Sequence, residues 1–387
     1  MLDFFTDVVR PESPPELAEA LNWAADRRQT IQLGGHFSKA MMGGPIAPAN
    51  MTISTGAMCR VRQYEPRDLT ISVEAGVSYC ELSRLLAQHR QMLPLDPPFF
   101  QSATIGGIVA ANCSGPRRRL YGTVRDMVIG MQFATLEGKL IESGGMVVKN
   151  VAGLDMAKLM IGSYGTLAAI AVVNFKVIPQ PPVERSFRLS FECLDEAFAA
   201  RDAILKSPLD PAAIDLLNPA AVDTDNPVYV LMVKAGGNPA AISRYERELS
   251  AMGAQPLPAE EEMAIWSAIQ EFTPRYLESH PDGAVVRVSC TLKELKAAMA
   301  LAPGPALARA GSGVCYAYFG LFRQAEMFAA EAAREFRGTI VEYAPESRKE
   351  EMDLWPAPGP DLEIMKRIKY MFDPHLLLNR GRLHRRI

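Results

Sequence analysis

The chain has 387 residues, 48% hydrophobic and 22% charged, which is enough length and apolar content to bury two cores. A formal net charge of -3 gives no global pull toward nucleic acid, so no DNA or RNA partner is expected. Its 6 cysteines lack any CxxC pair and are read as free thiols, Asp3 stands where a secretory signal wants basic residues, and no apolar run is long enough to span a bilayer; the expected location is the cytoplasm, or a membrane reached only through a partner.

Ser13-Pro14-Pro15-Glu16 reads as a capping box with proline in the first turn, and Leu17, Ala20, Leu21 and Ala24 follow at helical spacing, predicting a helix to about Arg28. Thr30 to Leu33 is a short strand that empties into Gly34-Gly35-His36-Phe37-Ser38-Lys39. Such a loop suits a diphosphate held by backbone N–H groups, and equally an ordinary turn. Neither GxxxxGK[ST] nor a strand–GxGxxG–helix unit is present, which argues against an ATP enzyme or a Rossmann dehydrogenase. A strand at Leu69 to Val73 and a helix carrying Leu82, Leu85 and Leu86 lead to the rigid connection Leu93-Pro94-Leu95-Asp96-Pro97-Pro98.

From Ala103 to Pro179 glycine clusters alternate with apolar strands: Ala103-Thr104-Ile105-Gly106-Gly107, Ser114-Gly115-Pro116, Tyr121-Gly122, Lys149-Asn150-Val151-Ala152-Gly153 and Gly162 to Leu167. Glycines admit close backbone approach, so main chain, more than side chains, is expected to line a site here. The intervening elements are a helical stretch from Ile105 to Ala111, a strand from Met127 to Leu136 turning at Glu137-Gly138-Lys139, a short helix at Leu154 to Met160, and a long strand from Leu167 to Ile178. Beyond Val183 strands and helices alternate without such clusters, which suits an antiparallel sheet with helices on one face. Trp355 to Pro360 is a proline-rich boundary before a last helix at Asp361 to Met371. Met41-Met42 reads as core filler, and Arg117-Arg118-Arg119 with Arg380, Arg382, Arg385 and Arg386 as solvated loops and tails or a docking patch for a partner subunit.

Taken in order, Leu93 to Pro98 with Ala103 to Gly107, Ser114 to Arg118, Gly144 to Asp155 and Gly165-Thr166-Leu167 resemble the flavoproteins with a vanillyl-alcohol-oxidase (PCMH) type FAD-binding domain, most closely the FAD-binding subunits of bacterial glycolate oxidase (glycolate dehydrogenase). The likeness is read over nearly the whole chain. It implies an α+β protein: a two-lobed PCMH-type FAD-binding domain over residues 1–182, an antiparallel-sheet-plus-helices cap over 183–345, and a segment 346–387 returning to the FAD domain.

The cofactor so implied is FAD. By the same resemblance Gly34, Gly35, His36, Phe37, Ser38 and Lys39, with Ala103, Thr104, Gly106 and Gly107, would meet the pyrophosphate; Pro97 would also touch the cofactor; Ser114, Gly115, Tyr121 and Gly122 would flank the flavin; Gly165, Thr166, Ile170 and Val172 would lie near the adenine. Lys149 and Asn150 would polarise the pyrimidine edge or bond a neighbouring loop. His36 departs from the family's glycines; it either attaches covalently to the flavin, as the histidine does in berberine-bridge-like relatives, or donates to phosphate or solvates the loop.

Oxidation of a 2-hydroxy acid needs a cation for the carboxylate, and the resemblance suggests Arg287, in Val286-Arg287-Val288-Ser289, against the alternative of a surface strand arginine. The family's metal-binding Glu-His-Gly motif is absent and the 5 histidines show no HxxxH or HxH spacing, so no metal is expected. The arginine expected near Gln270 and the glycine-histidine segment expected at Thr339 to Pro345 are missing too. The implied function is an FAD-dependent oxidoreductase subunit that oxidises a glycolate- or D-lactate-type acid within a complex containing a second FAD subunit and an iron–sulfur subunit. The alternatives are a non-catalytic FAD-binding or structural subunit, and a stand-alone oxidoreductase acting on another alcohol.

Overall fold

The computed structural model describes residues 8–45, 47–146, 154–222, 227–350, 353–355, 359–384 and 387. The chain divides into two units, the first made of residues 1–114, 123–180 and 357–387, the second of 115–122 and 181–356. No described helix is long and apolar enough to cross a membrane.

In the first unit the amino-terminal helix is Pro14–Asp26, and Ser13 caps it by accepting the Glu16 N–H at 3.4 Å. Its expected capping box is incomplete, because the Glu16 carboxylate accepts the N–H of Glu12 at 2.9 Å. Ile31–Gly34 and Val8–Val9 pair in parallel with Met51–Ser54, a strand whose four residues between proline-rich turns carry too little pattern to be foreseen. A second sheet is antiparallel, in the order Val61–Glu65, Thr70–Glu74, Ala169–Lys176, Val128–Ala134, Leu140–Gly144. One core serves both: Leu17, Leu21, Ile31 and Ile53 pack in the same buried cluster as Ala134, Ala169 and Ala171, and each fully buried leucine or isoleucine contributes about 1.5–3 kcal/mol.

The carboxy-terminal segment belongs to this core. Helix Asp361–Phe372 is followed by Leu377 and Leu378, both buried in it, and the chain runs beside Ile31: Ile31 N–H donates to Leu377 O at 2.8 Å and Asn379 N–H to Ile31 O at 3.0 Å. A buried ion pair fixes the return. Lys369 Nζ lies 2.7 Å from Asp373 Oδ2 and donates to Thr166 O at 2.7 Å and Leu378 O at 3.0 Å, while the Asp373 carboxylate accepts the N–H groups of Leu377 and Leu378. Burial pulls the Lys369 ammonium below its usual range, and Asp373 opposes that shift.

The second unit is built on one antiparallel sheet, in the order Gln255–Pro256, Val183–Phe191, Tyr229–Gly237, Ala213–Leu217, Ala306–Arg309, Val314–Phe319, Ala284–Ser289, Gly338–Tyr343. Strand alternation sorts its two faces. Ala284, Val286 and Val288, with Cys315, Ala317, Phe319, Ile214 and Leu216, join a core completed by the helices Leu194–Lys206, Pro239–Ser250, Leu295–Leu301 and Phe322–Glu335. That is the expected helical face. Helices Ala259–Gln270 and Phe272–Ser279 correct the one-sided expectation, since they meet the other face: Trp266 Nε1 donates to Ser186 Oγ at 2.8 Å, and Thr273 Oγ1 lies 2.9 Å from the Tyr318 hydroxyl. The acidic run Glu260-Glu261-Glu262 at the first turn, favourable to the helix dipole, is the sequence signal that was available for the first of them.

Candidate cofactor and substrate sites

The loop after Ile31–Gly34, the start of helix Ile105–Ala111, the turn at Tyr164-Gly165 and the segment at Asn379 to Arg382 surround one cavity in the first unit, with about 830 Å3 of empty space, part of it open to solvent. Of the residues expected at the cofactor, Gly34, Gly35, Phe37, Ser38, Lys39, Thr104, Gly106, Gly107, Gly165 and Ile170 line it. The glycines are there for distinct reasons. A Cβ on Gly35 would sit 2.2 Å from Thr104 Oγ1, and one on Gly106 would sit 2.8 Å from the Ala75 Cβ, so these two bring loop and helix together. Gly165 has φ +70 and a Cβ there would meet Asn379 Nδ2 at 2.8 Å.

Backbone donors are unevenly distributed around the cavity. The N–H of Ile105 is spent on Val77 O at 2.9 Å, that of Gly106 on Ala75 O at 2.8 Å, and that of Gly107 on the capping Thr104 Oγ1 at 3.3 Å. Among the described residues no acceptor takes the N–H of His36, Phe37 or Ser38. The donors available to an anion are therefore in the loop between Gly35 and Lys39 rather than at the helix start. Lys39, 9% exposed, and Arg382, 7% exposed, add positive charge, and among the described residues no carboxylate lines the cavity.

Asn379 and Arg382 are among the lining residues not expected at the cofactor. Asn379 Oδ1 accepts the Leu33 N–H at 2.8 Å while its Nδ2 donates to Leu33 O at 3.1 Å and Tyr164 O at 2.7 Å, tying two cavity walls together. Arg382 donates to Lys39 O at 2.9 Å and Ala40 O at 3.2 Å, holding the loop that carries the open N–H groups. The signal was the run Asn379-Arg380-Gly381-Arg382, which composition alone presents as a basic tail.

Other expected residues stand apart. His36 lines a neighbouring shallow cavity with Val8, Arg10 and Thr52, and its Nδ1 donates to Ser102 O at 3.2 Å. Ala103 is fully buried with its carbonyl accepting Tyr79 N–H, Thr166 is buried and donates to Ser163 O at 2.7 Å, Val172 is packed in the core, and Pro97 is buried between Asp96 and Phe99, both at positive φ. Ser114 Oγ accepts the Val124 N–H at 3.3 Å. Gly115, Tyr121 and Gly122 fall in the second unit, where Gly115 O accepts the Arg118 N–H and Gly122 ends the short helix Arg118–Tyr121 with φ 86. Lys149 and Asn150 lie outside the described residues.

Arg287 lies on the second unit's sheet, on the face away from the helical core. Its Nε is 2.8 Å from Glu342 Oε1 and its Nη1 donates to Ser289 Oγ at 2.7 Å. Burial pushes the Glu342 carboxyl above its usual range, and Arg287, Arg118 and Arg309 each counter that. Beside it Arg309 pairs with the fully buried Asp215, and its guanidinium carbon sits 5.7 Å from the centre of the Tyr316 ring. Burial pushes the Tyr316 phenol up to about 12. Among the described residues no group of three or more His, Cys, Asp or Glu side chains is placed to hold a metal ion.

Residues 6–144 match the family described as FAD binding domain. The loop donors, the two cations and the absence of carboxylate around the cavity fit that cofactor's diphosphate, and Leu33, Ala110, Ala168 and Ile170 offer apolar wall to a ring. In structure the chain is similar to 4-ethylphenol oxidase from Gulosibacter chungangensis, with a TM-score of 0.73 over 98% of this chain and 89% of that one at 13% identity, a likeness of fold. Residues 6–144 are thus an FAD-binding domain, and the chain has the fold of the PCMH-type flavoproteins. In sequence it is 37% identical over 173 residues to glycolate oxidase subunit GlcE of Escherichia coli (strain K12), covering 44% of this chain and 49% of that protein. It is 27% identical over 211 residues to glycolate oxidase subunit GlcD of Bacillus subtilis (strain 168), covering 54% and 45%. The aligned stretches span about half the length of these curated relatives.

Proposed function

We propose that this chain is an FAD-linked oxidoreductase subunit that oxidises a small 2-hydroxy acid of glycolate or D-lactate type, working beside a second FAD subunit and an iron–sulfur subunit. The observation that carries the reading is the first unit's cavity, walled by main chain and by Lys39 and Arg382, with no carboxylate among the described residues that line it. FAD, when bound, supplies a two-electron acceptor. The substrate loses its α-hydrogen with an electron pair and its hydroxyl hydrogen as a proton, leaving a 2-oxo acid. For this the loop at His36, Phe37 and Ser38 would hold the diphosphate, and Asn379 and Arg382 would keep that loop in place. Arg287 and its neighbours on the second unit would receive the substrate carboxylate.

A second reading, an FAD-binding subunit without catalysis of its own, draws support from one observation: Arg287 already holds the Glu342 carboxylate at 2.8 Å. Anaerobic mixing of the flavin-containing chain with glycolate, D-lactate and D-2-hydroxyglutarate separates the two. Loss of the flavin's visible absorbance with one of these acids is expected. If the flavin stays oxidised with all of them, both alone and in the co-purified complex, the catalytic reading fails and the non-catalytic one stands.

A further inference from the structure

The arginines of the Arg117-Arg118-Arg119 run have different fates within the second unit. Arg117 Nη2 lies 3.5 Å from Glu184 Oε1. Arg119 Nη1 lies 2.6 Å from Asp210 Oδ1, donates to Pro211 O at 3.1 Å, and passes so close to Gly311 that a Cβ there would meet its Cδ at 2.5 Å. Arg118 lies between these two pinned neighbours on the short helix that packs on strand Ala213–Leu217, and is half-buried. Among the described residues it makes no side-chain hydrogen bond or ion pair.

What Arg118 does face is the polar side of the sheet. Its charge acts on Glu342 and on Tyr316, the two groups that adjoin Arg287. Tyr316 is directly opposite Arg287 on the neighbouring strand, and its hydroxyl makes no hydrogen bond among the described residues. The guanidiniums of Arg118, Arg287 and Arg309 therefore share this face with the carboxylates of Glu342 and Asp215, and both carboxylates are committed, to Arg287 and Arg309 respectively. Of these three guanidiniums, only that of Arg118 has no carboxylate of its own. A guanidinium and a phenolic hydroxyl, neither hydrogen-bonded among the described residues and both adjoining the Arg287–Glu342 pair, are the donor set that a carboxylate takes up.

We propose that Arg118 and the Tyr316 hydroxyl anchor the carboxylate of the substrate, with Arg287 acting as a positioning residue held by Glu342. This rests on the 2-hydroxy-acid reading above and narrows it. One guanidinium without a carboxylate partner suits an acid with one carboxylate, so glycolate- and lactate-sized monoanions are favoured over dicarboxylates such as 2-hydroxyglutarate.

The test uses oxamate, a monoanionic analogue that cannot be oxidised in this way, titrated calorimetrically into the flavin-containing chain and its variants. Arg118→Gln is expected to weaken oxamate binding at least tenfold, Arg118→Lys to recover part of the loss, and Tyr316→Phe to weaken it several-fold, all with the flavin spectrum and circular dichroism of the parent. Oxamate bound as tightly by Arg118→Gln as by the parent overturns the anchor and leaves the oxidoreductase reading standing. A flavin-containing parent that binds neither oxamate nor glycolate overturns both. Arg118-dependent binding of oxamate in a chain whose flavin no hydroxy acid reduces upholds the anchor and removes the activity.

Discussion

The two units place their polar groups by opposite means. The first walls its cavity with main chain, where Gly35 and Gly106 exist because a Cβ would collide with Thr104 or Ala75, and the available donors are backbone N–H groups. The second keeps its backbone in one eight-stranded sheet and concentrates polarity in side chains on one face of its strands, Asp215, Arg287, Arg309, Tyr316 and Glu342. A backbone-walled site tolerates few side chains and so marks the sequence wherever it passes. A side-chain site is defined by which long-range neighbours pair and cancel, and only the fold settles that.

Substitutions that strike one unit and spare the other break or sharpen this contrast. The largest effect is expected from Arg309→Met, which leaves the fully buried Asp215 without its cation and costs about 3–5 kcal/mol of stability. Chemical unfolding followed by fluorescence measures it, and flavin content of the folded fraction should match the parent; loss of flavin would show that the sites are not separable. Gly35→Ala comes next, at about 1–3 kcal/mol, because its methyl enters the space of Thr104. Here flavin absorbance per chain should fall, and full retention would mean that the loop's position does not govern cofactor binding.

The smallest effect concerns Asp126, whose carboxylate accepts the Thr123 N–H at 2.7 Å and its hydroxyl at 3.0 Å. The backbone bond holds its carboxyl below the usual value, so the folded pKa lies beneath the unfolded one. Its contribution is then complete above the ordinary carboxylate range and is lost as pH falls through the depressed value. Asp126→Asn should lower the urea midpoint at neutral pH by the equivalent of about 0.5 kcal/mol, the low end for an exposed cap, and the gap should close in acid. A gap that persists there would assign the effect to packing.

Sequence legibility followed the same divide. Helix Ile105–Ala111 falls where patterning puts it and strand Thr70–Glu74 within one residue of it, because apolar spacing and flanking turns agree locally. Met51–Ser54 and Ala306–Arg309 escaped, being four-residue strands stabilised by neighbours on both sides rather than by their own composition. Around the cavity, the glycine-bearing loop and the helix start were readable, whereas Asn379 was not: its partner Leu33 is 346 positions away. Arg118 looked like one member of a solvated run, and only the pairing of Arg117 and Arg119 on either side isolates it.

The clasp of Leu378 and Asn379 against Ile31 and Leu33 also sets a timetable for biosynthesis. At about 5–20 residues per second, the strand at Ile31 would wait roughly 20–70 s on the ribosome before the segment that closes its cavity is made. During that interval the His36 to Ser38 loop lacks the Arg382 bonds that hold its base, and Thr166 lacks the Lys369 ammonium. Flavin capture is therefore expected only after Asn379 to Arg382 have been made, long after the loop that would hold the diphosphate.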